Sequence, residues 1–258
     1  MIALCLALMT ISPLIVRAGM TLEEVKVYQA CKTRAENGDA EAQSTLSLCY
    51  ARGTGTKQNY AEAMVWGRKA AEKGFAEAQY NLGGCYAYGS WVEKDLVQAV
   101  AWFRKAAEQG HAGAQNNLAV CYANGEGVKN DWQQAAAWYR KAAEQGHSGA
   151  QLSLAVRYYR GEGVPNDFTQ AVFWNKKAAD QGEAMAQSNL AVCYERGEGV
   201  PLDLISAYAY YTIASATNDF ARDRLMALEK KMPKDQIVAG QIRAKELKRE
   251  VSAKQAGK

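Results

Sequence analysis

The sequence predicts an all-α fold, an α/α superhelical solenoid made of helical hairpins. The first observation behind this is a fixed period. Alanine returns at Ala42, Ala78, Ala114, Ala150 and Ala186, and glutamine one residue later at Gln43, Gln79, Gln115, Gln151 and Gln187. Leucine follows at Leu46, Leu82, Leu118, Leu154 and Leu190, then tyrosine at Tyr50, Tyr86, Tyr122, Tyr158 and Tyr194, thirty-six residues apart without an insertion. Self-similarity at a period of 20–50 residues is the signature of stacked units. The second observation is that each copy holds two helix-like apolar stripes, each closed by glycine. The third is composition: four prolines in 258 residues, with abundant Ala, Leu, Gln, Glu, Lys and Arg, favour helix. Length alone suggests one or two globular domains. The period overrides that prior, because stacked units share one elongated core.

The chain opens with MIALCLALMTISPLIVRA, a short apolar run. Its length suits the hydrophobic region of a signal peptide spanning 1–18, with cleavage after Ala18. No charged side chain precedes the run, Arg17 interrupts its small-residue ending, and Met20 offers an alternative start. The expectation is export to the periplasm or medium if the segment is a signal peptide, and a cytoplasmic protein otherwise. No transmembrane anchor is expected, since the run is shorter than the roughly 20 residues a span needs and contains Pro13.

Residues 21–38 read as an N-terminal cap helix. Thr21 and Glu24 make a capping box, and Gly38 supplies the stop. Five repeats follow at 39–74, 75–110, 111–146, 147–182 and 183–218. In the first, a helix from Ala40 to Arg52 buries Ala42, Leu46, Cys49 and Tyr50, then ends at Gly53. A second glycine at Gly55, Gly127, Gly163 and Gly199 makes the turn between helices, where a positive φ is needed. The second helix starts at Asn59, Asp95, Asp131, Asp167 or Asp203. Glu or Gln stands three residues later in all but the last copy, where Ser206 does. An aromatic column at Trp66, Trp102, Trp138, Trp174 and Tyr210 lies inside that helix, and K-A-A with a closing glycine ends the unit. The fifth copy drifts, with Asn218 for the closing Gly, as a terminal unit with a polar outer face should. Residues 219–249 read as C-terminal capping helices, the last with Pro233 at its start, and 250–258 as a frayed tail.

The motif A-x-A-Q-x-x-L-x-x-x-Y-x-x-G-x-G-V-x-x-D-x-x-x-A-x-x-W-x-x-K-A-A-x-x-G resembles the Sel1-like repeat, a relative of the tetratricopeptide repeat. The resemblance covers residues 39–218. It implies an α/α superhelix that serves as an adaptor or scaffold in protein complexes, often in bacterial envelope, signalling or host-contact settings. A cysteine-rich branch of that family is associated with penicillin binding or β-lactamase activity and pairs cysteines eight residues apart. That spacing is missing here.

Chemistry is sparse. Cys49, Cys85, Cys121 and Cys193 share a column with Arg157. Successive repeats place them too far apart for a disulfide, and no Cys-x-x-Cys suggests zinc. The expected role is small polarizable filler beside the tyrosine, and Arg157 suggests a site near an edge that a long side chain can leave. His111 and His147, the only histidines, both follow a closing glycine and read as helix-start residues. No catalytic motif is visible, so neither catalytic residue, metal nor cofactor is assigned. Binding is the remaining option. In related superhelices the first helix of each hairpin lines the inner wall. That puts Thr45, Asn81, Asn117, Ser153 and Asn189 in a groove, with Arg52, Tyr88, Asn124, Arg160 and Arg196. Asn pairs with peptide backbone, and Arg offers a carboxylate fork. Trp91, where other copies have Gly in the turn, is a further candidate contact. The reading is a non-enzymatic scaffold for a protein or peptide partner. One alternative is an envelope enzyme of β-lactam-hydrolase type. The other is a binder of anionic surfaces or nucleic acid through residues 222–258, which hold eleven Lys or Arg against five Asp or Glu. Net charge is only +4, so nucleic acid is not the expected partner.

Overall fold

The computed structural model describes residues 20–256. The signal-peptide reading of 1–18 lies outside them, as do the last two residues of the chain. Among the described residues there are thirteen helices and no strand. In order they are α1 (Leu22–Glu36), α2 (Ala40–Arg52), α3 (Tyr60–Glu72), α4 (Ala76–Tyr88), α5 (Leu96–Glu108), α6 (Ala112–Asn124), α7 (Trp132–Glu144), α8 (Ser148–Arg160), α9 (Phe168–Ala179), α10 (Ala184–Arg196), α11 (Leu204–Ala214), α12 (Asp219–Glu229) and α13 (Lys234–Ala256). The fold is an all-α repeat solenoid of hairpins. The chain forms two compact units. Of the described residues, one holds those up to Ala114 with Glu126–Val128, and the other holds Gln115–Gly125 with those from Lys129 onward.

Local chemistry sets the helix ends. In α1 the Thr21 hydroxyl accepts from the Glu24 N–H while the Glu24 carboxylate takes the Thr21 N–H, the reciprocal box its sequence calls for. First helices α2, α4, α8 and α10 stop at a left-handed glycine. Second helices start on Asn59, Asp95, Asp131, Asp167 and Asp203, whose side chains accept from the N–H three residues on at 2.9–3.2 Å. No Glu or Gln returns to the cap here. The N–H of each cap residue already donates to the carbonyl of the repeat's tyrosine, Tyr50, Tyr86, Tyr122, Tyr158 or Tyr194, at 2.8–3.0 Å. That bond ties the end of the first helix to the start of the second. The intervening turn also runs close to its neighbour: a Cβ on Gly163 would lie 1.9 Å from the Trp132 carbonyl oxygen, so glycine is needed there for space as well as for its φ of 75°.

Ala, Leu and Cys of the first helices and Ala of the second make the core. The Trp column is buried to half-buried, with the lysine of K-A-A lying over the ring: Lys105 over Trp102 and Lys141 over Trp138, each at 3.9 Å. The glutamine column is buried and is a polar seam. Gln79 and Gln151 donate to the carbonyls of Ala71 and Ala143, which end the preceding second helices. Gln109, Gln145 and Gln181 then donate to Gln79, Gln115 and Gln151 at 2.7–2.8 Å. These bonds satisfy carbonyls that a helix C-terminus leaves open.

Two sequence expectations need correction. The tail beginning at residue 250 is not frayed: α13 runs to Ala256. Lys254 Nζ reaches Asp180 Oδ2 at 2.7 Å, and Gln255 Nε2 donates to the Gln181 carbonyl at 2.9 Å, so the last turn has partners. Arg157 does not leave its site for solvent. Its side chain stays mostly buried, lies over the Trp132 ring at 4.6 Å, and pairs with Glu162 at 2.6 Å.

Candidate binding clefts

One column of the second helix escaped the sequence reading and organises the surface. Position 67 and its repeats read Gly67, Phe103, Tyr139, Asn175 and Tyr211. Where the residue is aromatic it fills the space beside the first helices. Phe103 abuts Gly83 so closely that a Cβ there would sit 2.6 Å from the ring. Tyr139 is buried and its hydroxyl faces Ser153. Tyr211 is fully buried and donates to Glu195 at 2.8 Å. Where the aromatic is missing a cleft opens, once at Gly67 and once at Asn175. Reading that column down the repeats is the signal that reveals them.

The first cleft, of about 270 Å³, lies between α2, α3 and α4 in the first unit. Its floor is small or apolar (Ser44, Ser47, Leu48, Met64, Gly67, Cys85), and Asn81, Tyr88 and Trp91 stand at its side. Tyr88 is 79% exposed. Trp91 has a φ of 66°, the one positive value outside glycine among the described residues. Its ring stacks on Tyr60 with centroids 4.9 Å apart, and 45% of the residue remains exposed. Stacking holds the indole in a conformation that a bulky residue adopts only at a cost.

The second cleft, of about 240 Å³, lies in the second unit between α8, α9, α10 and α12. Val156, Val192, Cys193 and Phe220 form its apolar wall, and Asn175, Asn189, Tyr159, Arg160 and Arg196 its polar side. Asn189 donates to Asn175 Oδ1 at 3.3 Å. Arg196 donates to the Tyr159 hydroxyl at 3.2 Å, which itself donates to Glu198 at 2.8 Å. Burial, with Glu198 nearby, pushes the Cys193 thiol up to about 11, so it is protonated at neutral pH and a poor nucleophile.

The other candidate contacts behave differently. Thr45, Arg52, Asn117 and Asn124 line neither cleft. Thr45 bonds back to the Glu41 carbonyl, and Asn117 accepts from Asn116. Asn81, although at the first cleft, also meets Glu77 at 3.4 Å. Both histidines start helices: Nδ1 of His111 accepts from the Ala114 N–H and Nδ1 of His147 from the Ala150 N–H, each at 3.1 Å. An accepting Nδ1 leaves the proton of His111 on Nε2, which meets Glu77 at 3.0 Å while the ring stacks on Tyr80. All five described cysteines are free thiols. No three His, Cys, Asp or Glu converge on a metal-sized site among the described residues, and no described helix is long and apolar enough to cross a membrane.

Comparison with known proteins agrees with this geometry. The Sel1 repeat profile matches five times in succession, at 40–75, 76–111, 112–147, 148–183 and 184–219. A Sel1 repeat protein from Oxalobacter formigenes is similar at 34% identity and a TM-score of 0.68, covering 79% of this chain and 84% of its own. A protective antigen of uropathogenic Escherichia coli with an SLR fold is similar at 31% identity and a TM-score of 0.61, over 88% of this chain. This chain spans 56% of that antigen's length. No curated protein matches it in sequence. With five consecutive repeats and structural relatives above 30% identity, the chain belongs to the Sel1 repeat family.

Proposed function

We propose that the protein is a non-enzymatic scaffold that holds a protein or peptide segment at the clefts beside its first helices. Sel1 repeat proteins generally act as protein-interaction scaffolds. What supports the finer reading is the contrast between the clefts and the rest of that face. Tyr88, Trp91, Arg160 and Arg196 are exposed at the two openings, while Thr45 and Asn117 are occupied by their own helices. Exposed Trp, Tyr and Arg around a cleft are the residue types that dominate binding energy at interfaces.

The alternatives draw less support. A β-lactam-acting enzyme needs an activated nucleophile, and the thiol at the second cleft is held protonated. An anionic-surface binder would use the C-terminal segment. There, among the described residues, Arg222, Arg224, Arg243 and Lys254 are paired with acids while Lys230, Lys231, Lys234, Lys245, Lys248 and Arg249 are not, and the net charge of the whole chain is only +4.

Panning the purified protein against a random-peptide library tests the proposal. Enriched peptides should lose most of their affinity to a variant carrying Tyr88→Ala with Trp91→Ser, or to one carrying Arg160→Ala with Arg196→Ala, and the unfolding midpoint of either variant should move little. A library that yields no binder, or binders indifferent to both variants, would overturn it.

A further inference from the structure

We propose that the Asn175 cleft is a carboxylate-reading site: an extended peptide sets an Asp or Glu side chain on Arg160 and Arg196, and the apolar side chain next to it enters the volume that an aromatic fills in other repeats. This rests on the scaffold reading and names the ligand class of one of its two clefts.

The first support is an unspent donor. Asn175 is only 2% exposed and lines the cleft. Its Oδ1 accepts from Asn189, and its Nδ2 has no acceptor among the described residues. The amide that stands where other repeats have an aromatic thus presents to the cleft an N–H that only water or a ligand can take. A peptide carbonyl or carboxylate is such a ligand.

Charge at the mouth is the second support. Glu162, Glu195 and Glu198 are the acids beside the arginines, and each has a nearer partner, Glu195 being paired with Arg224. Glu162 is 2.6 Å from Arg157 but 3.9 Å from Arg160, and Glu198 takes the Tyr159 hydroxyl while standing 3.9 Å from Arg196. Among the described residues the Arg160 guanidinium makes no hydrogen bond, and that of Arg196 makes one, to Tyr159. Both side chains remain more than half exposed, at 61% and 57%. A guanidinium carries five donors in a planar fork that matches a carboxylate. Arg157, Arg160, Arg196 and Arg224 against Glu162, Glu195 and Glu198 leave one positive charge in excess, which a single carboxylate balances.

The apolar wall decides between anionic ligands. Val156, Val192 and Phe220 offer nothing to a nucleic-acid backbone or a free phosphate, whereas they suit an aliphatic or aromatic side chain beside the acid. The cleft, at about 240 Å³, is below the size of a typical small-molecule pocket and fits one side chain.

The test uses the full chain and blocked eight-residue peptides (acetylated, amidated) that place one Glu beside Leu, Ile, Val or Phe in a Gly/Ser host. Each is paired with its Gln counterpart. Further arms carry phosphoserine for Glu, or a free C-terminal carboxylate with no acidic side chain. Affinity is read by isothermal titration and by shifts of the Asn175 side-chain amide in NMR spectra. At least one Glu peptide should bind about ten-fold tighter than its Gln partner. Asn175→Tyr, which restores the residue type of Tyr139 and Tyr211, should remove that binding with no loss of thermal stability. Arg160→Ala with Arg196→Ala, both on the surface, should remove it too and serves as the check if the filled variant folds poorly. Equal affinity for Glu and Gln peptides, binding that survives both variants, or preference for the phosphoserine or free-carboxylate arm overturns the proposal. If library-selected peptides still bind at the Tyr88 and Trp91 cleft, the scaffold reading stands while this one falls.

Discussion

Tyr139 and Asn175 occupy the same position one repeat apart, in the same unit and on corresponding second helices α7 and α9. Around Tyr139 the space beside the first helices is filled by a buried ring. Around Asn175 it is a cleft rimmed by arginines. The flanking columns hardly change between the two copies: alanine four residues before, at Ala135 and Ala171, and the A-A pair after, at Ala142–Ala143 and Ala178–Ala179, are all buried. The backbone is therefore set by the consensus, and the surface is set by single departures from it. In an array where each unit rests on its neighbours, a departure that opens a hole without disturbing the seam costs stability only locally. That is where a scaffold can acquire a site.

The sharpest way to break the comparison is to make the third repeat resemble the fourth. Tyr139→Asn should destabilise the protein by about 3 kcal/mol, the scale of emptying an aromatic site that the surroundings cannot refill. Urea unfolding of the two proteins measures it. A cost below about 1 kcal/mol would mean that the ring is not the filler it is taken for, and the contrast with Asn175 would lose its physical basis.

The two open positions also differ in what surrounds them, and acid separates them. Beyond Asn175, on the same helix and the cap that follows it, Asp180 lies between Lys176 and Lys254. On the next first helix Glu195 pairs with Arg224 and accepts from Tyr211. Burial raises the Asp180 carboxyl, but the bonds from Lys254 and Lys176 outweigh it and hold it below the ordinary range. Burial likewise raises Glu195, and Arg224 and Tyr211 outweigh it. A carboxylate depressed in the folded state adds stability above its unfolded value of about 4, and that stability is lost as pH falls through the lower folded value. The Lys254–Asp180 contact is partly exposed, so its share is under about 1 kcal/mol. Protection from hydrogen exchange along residues 250–256, taken relative to the intrinsic rate at each pH, should fall below about pH 4, with protection around Gly67 changing much less. Protection of the last turn that ignores acid would show that α13 is held by its apolar contacts alone.

How much of this the sequence reveals follows from what repeats and what does not. Helix order, glycine stops and Asp caps are legible because each rests on local chemistry written five times. The histidines are legible for the same reason, sharing a column with Asp39, which caps α2 in the same way. The extent of α13 is not, because the bonds of Lys254 and Gln255 reach back 74 residues and no local pattern announces them. Nor is the polar face of the first helices sortable by periodicity. Arg160, Arg196 and Asn189 meet at one cleft, and Asn81, Tyr88 and Trp91 at another. Thr45 has the same register and spends its hydroxyl on Glu41. The deciding residues, Gly67 and Asn175, are on the other helix of the hairpin.

The smallest effect is expected at Gly67, and it asks why that opening persists. Glycine inside a helix costs about 1 kcal/mol relative to alanine, so Gly67→Ala in α3 should stabilise if nothing opposed it. One contact does. The new Cβ would stand 2.9 Å from the Ser47 hydroxyl oxygen, which donates to the Ala63 carbonyl at 2.6 Å. Turning the serine aside gives up a bond of about 1 kcal/mol. The two terms nearly cancel, and the single variant should stay within about 0.5 kcal/mol of the parent. Placed on Ser47→Ala, which removes the opposing oxygen, the same change should recover the helix gain of about 1 kcal/mol. That double-mutant cycle distinguishes a cleft kept open by a neighbouring hydroxyl from one with no steric reason to remain. A full gain in the single variant would point to the second case and would leave Gly67, unlike Asn175, without a structural partner that explains it.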